Sequence, residues 1–198
     1  MDMNCGYQRA SSRFERGLFF GLPVFTVVAL ALLSIGASAG PDKPGKRSIE
    51  IDAVFSPGGG CEERIAEELA SAEQTIRIQA YFFTSKPITN AVVKAKKRGV
   101  DVCVILDKSQ EKMTYGSWRI LRREGVPVHF DAKHATANNK VILIDDRTVI
   151  TGSYNFTKSA EEKNAENIVI IRNADDVFEK FLKNFDEHLK HSRKYSGS

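Results

Sequence analysis

Apolar positions along this chain recur at two spacings, and the spacing switches from segment to segment. Residues 49–55 alternate, as a strand with one covered face does. Ser56-Pro57-Gly58-Gly59-Gly60 then reads as a turn. Over 61–71 the apolar Ile65, Ala66 and Leu69 share a helical face. Residues 75–84 are rich in β-branched and aromatic side chains and predict a second strand. Pro87 suits the first turn of a helix with Ile88, Ala91, Val92 and Ala95 as its buried stripe and Gly99 as its end.

The second half repeats the theme. Residues 100–107 form a nearly continuous apolar run, the pattern of a strand covered on both faces. A short helix is predicted over 115–124, ending at Gly125, and a strand over 126–130. Residues 140–145 and 148–151 predict a tight hairpin around Asp146-Arg147, and 167–171 another strand. An amphipathic helix closes the chain over 175–191, with Val177, Phe178, Phe181, Leu182, Phe185 and Leu189 inward. Its acids lead and its bases trail, as the helix dipole favours. The order βαβαβαβ, hairpin, βα predicts a single α/β sandwich around a mixed, mostly buried sheet, with no internal repeat.

The first forty residues follow another pattern. Arg9, Arg13 and Arg16 precede a charge-free stretch from Gly17 to Gly40, and Ala37-Ser38-Ala39 matches a signal-peptidase site. The expected domains are therefore an export segment over 1–39, a Pro/Gly/Lys linker over 40–48 and a globular domain over 49–192. The segment is either a cleaved signal peptide or a retained membrane anchor centred on residues 17–36, since it is long enough to span a bilayer. Either way the protein is expected to be exported, to the periplasm or beyond.

Composition adds little. The 198 residues carry a formal net charge of +4, with 42% hydrophobic and 27% charged residues, ordinary for a globular protein. The basic balance fits an anionic partner such as nucleic acid or a lipid headgroup without requiring one. Export permits a disulfide between Cys61 and Cys103, although Cys103 lies in an apolar strand and two buried thiols are the simpler reading. The Cys and His spacings do not match a zinc site.

Chemistry concentrates between His134 and Asn167. Four residues separate Lys140 from Asp145. Six more lead to Gly152-Ser153, and Asn155 lies two beyond the serine. This resembles the later part of the phospholipase D signature, H-x-K-x4-D-x6-G-S-x-N. Glu166 suits the carboxylate that the family often places after the motif. Upstream, FSPGGGCEE, IRIQAYFFTS and AVVKAKKRGVDVCVILD resemble the first βαβ segments of the compact bacterial endonuclease branch. The resemblance covers about residues 50–190. It implies a phospholipase D/nuclease-like α-β-α sandwich with one motif per chain, a phosphodiester substrate (nucleic acid or phospholipid) and no cofactor.

The resemblance also implies roles. In the family a histidine two residues before the lysine attacks phosphorus, and a second copy protonates the leaving oxygen. Lysine and asparagine hold the phosphate oxygens, so the chemistry needs no metal. One motif supplies half a site, which implies a two-fold homodimer. Here the histidine position is Asn138, and a carboxamide neither attacks phosphorus nor shuttles protons near neutral pH. His134 would lie about 13 Å away along an extended strand, and only a sharp local turn could bring it in as a substitute.

The candidate site is therefore Asn138, Lys140, Asp145, Ser153, Asn155 and Glu166. Each has a plainer reading: Lys140 as a strand-edge lysine, Ser153 and Asn155 as turn formers, Asp145 as a hairpin cap, Glu166 as a solvated acid. His129 reads as a satisfied strand histidine, and His188 and His191 as exposed partners of the helix dipole. Lys94, Lys96, Lys97 and Arg98 read as a solvated helix end or a phosphate-backbone patch, as do Arg119, Arg122 and Arg123. Three functional readings follow: a phosphodiesterase with impaired turnover, an inactive phosphate- or nucleic-acid-binding module, or an active enzyme into which engineering or error introduced Asn138. A single base separates a histidine codon from an asparagine codon.

Overall fold

The computed structural model describes residues 47–195; the expected export segment and most of the linker lie outside them. Eight strands form one mixed sheet in the order β1-β7-β6-β5-β2-β3-β4-β8. They are β1 (Glu50–Ser56), β2 (Thr75–Ala80), β3 (Asp101–Asp107), β4 (Val128–Asp131), β5 (Lys140–Ile144), β6 (Thr148–Gly152), β7 (Glu166–Arg172) and β8 (Arg193–Lys194). The central strands β2, β3 and β4 are parallel, and the remaining pairings are antiparallel.

Side chains alternate across this sheet, and helices cover both faces. Helices α1 (Cys61–Ser71) and α2 (Lys86–Lys97) bury Ile65, Leu69, Ile88 and Val92 against Ile76, Ile78, Val102, Val104 and Ile142. Ser85 caps α2 by accepting the backbone N–H of Ile88, and Pro87 occupies its first turn, as the sequence indicated. Helices α3 (Trp118–Arg123) and α4 (Lys158–Glu162) are short. On the opposite face α5 (Asp175–His191) packs against β4, β5 and β6 and buries Phe178, Leu182 and Phe185. The alternate strand residues Ile105, Val141, Leu143 and Val149 are buried on that side. The result is the expected α-β-α sandwich. Among the described residues, no helix is long and apolar enough to cross a membrane.

The register places the chemistry. Val141 pairs with Thr151 and Gly152 with Ile168, so the start of β5, the end of β6 and the start of β7 lie at one end of the sheet. The carboxyl end of β2 joins them, because Ala80 pairs with Lys140.

Candidate active site

Lys140 opens β5 beside Ala80, and its ammonium donates to the backbone oxygen of Asn138 at 2.9 Å and to that residue's side-chain Oδ1. The loop before β5 is held in place because Tyr81 donates its N–H to the Asn139 carbonyl at 2.9 Å and Ala137 donates to Asp107 Oδ2 at 2.8 Å. The Tyr81 ring lies beneath the ammonium, 5.5 Å from Nζ to the ring centroid. Burial pushes the Lys140 ammonium toward losing its proton at lower pH than usual, and the negative charge of Glu166 opposes that shift.

Ser153 and Asn155 follow the end of β6. The Ser153 hydroxyl accepts the Asn167 N–H at 3.1 Å and lies 3.3 Å from Asn167 Oδ1. The intervening Tyr154 points the other way, is fully buried, and donates its hydroxyl to Glu161 at 3.0 Å. Phe156 bonds through its backbone to Phe82, Thr84 and Ser85, which fixes the far side of Asn155. Asn155 Oδ1 is buried without a partner among the described residues. Gly152 is required by close approach: a Cβ there would meet the Asn167 carbonyl oxygen at 2.2 Å. Glu166 begins β7 opposite Ser56 and accepts from Asn164 Nδ2 at 3.2 Å.

Lys140, Asn138, Ser153, Asn155 and Glu166 thus come to one end of the sheet. Asp145 does not. It follows the opposite end of β5, about 16 Å along the strand from Lys140. Its carboxylate accepts the backbone N–H groups of Glu73, Gln74 and Thr75 at 2.8, 2.7 and 2.8 Å, tying the β5–β6 turn to the start of β2. The motif spacing led to Asp145, and its plainer reading is a hairpin cap; its carboxylate instead anchors backbone N–H groups at the start of β2, outside the hairpin.

Comparison with known proteins gives the same picture as the fold. Residues 65–189 match the family model of the cardiolipin synthase, PLD-like domain. A phospholipase D of Rickettsia conorii is 39% identical over 136 residues, covering 69% of this chain and 68% of the relative. The chain belongs to the phospholipase D superfamily. A mitochondrial cardiolipin hydrolase of Danio rerio is 32% identical over 108 residues, 54% of this chain and 48% of that protein. Among solved structures, the phospholipase D family member Nuc from Salmonella typhimurium superposes with a TM-score of 0.72 at 35% identity, covering 76% of this chain and all of that one. NucT from Helicobacter pylori has the same fold, with a TM-score of 0.68 at 22% identity, covering 75% of this chain and all of NucT. By family, the chain is a phosphodiester hydrolase.

Sequence reasoning missed several residues of this superfamily member's site and surroundings. Tyr81 and Asn167 lie outside the signature, and only the sheet register brings them to it. His188 and His191 are not exposed dipole partners. Their side chains are 14% and 22% exposed, and they converge with His134 on the buried carboxylate of Asp131. His134 is therefore engaged elsewhere than at Lys140. His129 is not satisfied as expected, since neither ring nitrogen has a hydrogen-bond partner among the described residues. Burial and the nearby Lys194 charge hold its pKa below the usual imidazole value. Cys61 is a buried free thiol and makes no bridge to Cys103.

Proposed function

We propose that this chain binds phosphodiesters through Lys140, Ser153 and Asn155, that Glu166 sustains the charge on Lys140, and that Asn138 removes or severely impairs turnover. One observation supports the proposal: Oδ1 of Asn138 accepts from the Lys140 ammonium, the contact expected if residue 138 stands where the family's histidine would. A phosphate oxygen can displace that amide from the ammonium, because the attraction is electrostatic and needs no nucleophile. The same contact favours the second reading, an inactive phosphate- or nucleic-acid-binding module. Nucleic acid is proposed as the leading substrate class because the upstream segments resemble the compact endonuclease branch, with phospholipid, which the names of the phospholipase D and cardiolipin hydrolase relatives indicate, as the other.

The site is proposed to be completed by a homodimer. One motif per chain supports this. So does an apolar strip on the edge strand β1, where Ile51 is 69% and Phe55 64% exposed and Phe55 pairs with Asn167, the partner of Ser153. The chain is proposed to act outside the cytoplasm, either released by cleavage after Ala39 or held by residues 17–36. N-terminal sequencing of the exported product separates the two, and an unprocessed cytoplasmic product sinks both. The decisive test of function is hydrolysis of bis-nitrophenyl phosphate by the unaltered chain and by Asn138→His. Background rate in the first and turnover in the second are expected.

A further inference from the structure

Asp131 ends β4 and is completely buried. Its Oδ1 accepts the backbone N–H groups of Lys133 at 3.0 Å and His134 at 3.3 Å. Its Oδ2 faces three imidazole nitrogens: Nδ1 of His134 at 2.8 Å, Nδ1 of His188 at 2.8 Å and Nε2 of His191 at 3.2 Å. One ligand atom from each of the four residues lies within 4.8 Å of all the others. We propose that Asp131, His134, His188 and His191 form a site for a divalent transition metal, zinc by the chemistry of the set. It pins α5 to the loop that carries Asn138.

Three arguments support a metal over a cluster of hydrogen bonds alone. The first is convergence. Three imidazoles aim nitrogens at one carboxylate oxygen whose partner oxygen is already occupied by two N–H groups. Zinc bonds of about 2.0–2.1 Å in a tetrahedron put neighbouring ligand atoms about 3.3 Å apart. The contacts to Asp131 Oδ2, at 2.8, 2.8 and 3.2 Å, need to lengthen by at most about half an ångström to reach that edge. The second is ligand chemistry. Imidazole nitrogen with one carboxylate suits zinc, whereas magnesium and calcium select oxygen. The third is preorganisation. His188 and His191 stand three residues apart in the last turn of α5, and the two N–H bonds to Oδ1 fix the Asp131 carboxylate, as outer-shell contacts do in metal sites.

Four protein ligands make a closed site, which marks a structural rather than a catalytic metal. Its consequence is positional. The segment from residue 132 to 139 has His134 near one end and Asn138 near the other. Lys108 Nζ, in the turn that follows β3, donates to the His134 carbonyl at 2.7 Å and holds the same segment. A metal here joins the last helix to the stretch that delivers residue 138, and the inference stands whether or not the Lys140 pocket turns over substrate.

The test uses the full chain, stripped with chelator and titrated with Zn²⁺ and with Co²⁺. The expected result is one zinc per chain retained through desalting, a rise in the melting temperature, and the intense visible bands of four-coordinate cobalt. His188→Ala and His191→Ala should each weaken binding by more than about tenfold. Failure of the folded unaltered chain to retain zinc overturns the proposal. So does a weak six-coordinate cobalt spectrum, or a His188→Ala/His191→Ala double variant that binds as tightly as the unaltered chain. Should the alanine variants fail to fold, the cobalt spectrum of the unaltered chain and zinc binding by His188→Gln decide the question.

Discussion

Lys140 bonds twice to the residue two positions before it, through the backbone oxygen of Asn138 at 2.9 Å and through that residue's side-chain oxygen. Substituting Asn138→His places an imidazole beside the same ammonium. The restored protein should hydrolyse bis-nitrophenyl phosphate at least about a thousandfold faster than the unaltered chain, because nucleophile and proton donor return together. Lys140→Ala in that background should return the rate to background. A folded Asn138→His dimer that stays inactive would leave the binding-module reading in place.

Phosphate binding should weaken with rising pH sooner than an ordinary lysine would allow. Binding needs the ammonium, and burial lowers the Lys140 pKa, so the proton leaves below the usual value of about 10.4. Glu166→Gln removes the charge that opposes this shift, and the midpoint should move lower still. Inorganic phosphate titrated against pH and followed by phosphorus NMR reads both. A midpoint at or above that of free lysine contradicts the assignment.

Asp145→Ala should cost stability, not chemistry. Three backbone N–H groups lose their charged acceptor, a loss of about 3 kcal/mol in denaturant unfolding. In the Asn138→His background, kcat well below the melting temperature should hold. A kcat loss in Asp145→Asn with unchanged stability would place the residue in the reaction instead.

Gly152→Ala should destabilise the fold by about 1–3 kcal/mol, since the new Cβ meets the Asn167 carbonyl oxygen and the neighbouring strands must part. The same movement should disturb Ser153, which bonds Asn167. A melting temperature equal to that of the unaltered chain would show that the approach relaxes without cost.

Ile51→Glu with Phe55→Glu should yield monomers by light scattering while leaving the melting profile of the domain nearly unchanged, because both side chains are exposed on the edge strand. In the Asn138→His background the same pair should abolish turnover. An unaltered chain that is monomeric at high concentration removes the dimer from the scheme.

The sequence showed the sheet because period-two and period-3.6 patterns are local. The helix over Cys61–Ser71 and the closing helix over Asp175–His191 have the predicted bounds. The elements that escaped are too short for periodicity: α4 with five residues, β8 with two, and the 3-10 turn at Lys108–Lys112. Lys140, Ser153 and Asn155 were legible because the signature fixes their spacing. That spacing also carried Asp145, whose distance from the pocket depends on which end of β5 faces the substrate. The histidine cluster was illegible for a related reason. Asp131-x-x-His134 and His188-x-x-His191 are each unremarkable pairs, and only the packing of α5 on β4 joins segments more than fifty residues apart.

Asn138 is exposed and lies outside every strand, on a segment held by its neighbours Ala137 and Asn139. Folding is therefore almost indifferent to which side chain stands there. If Asn138 stands where the family's histidine would, as proposed, a lineage can silence the reaction at this position while the rest of the molecule continues to be inherited under selection for stability, and the way back stays open for as long as Lys140 and Asn155 persist. Loss and recovery of catalysis become a reversible genetic step and not a slow decay.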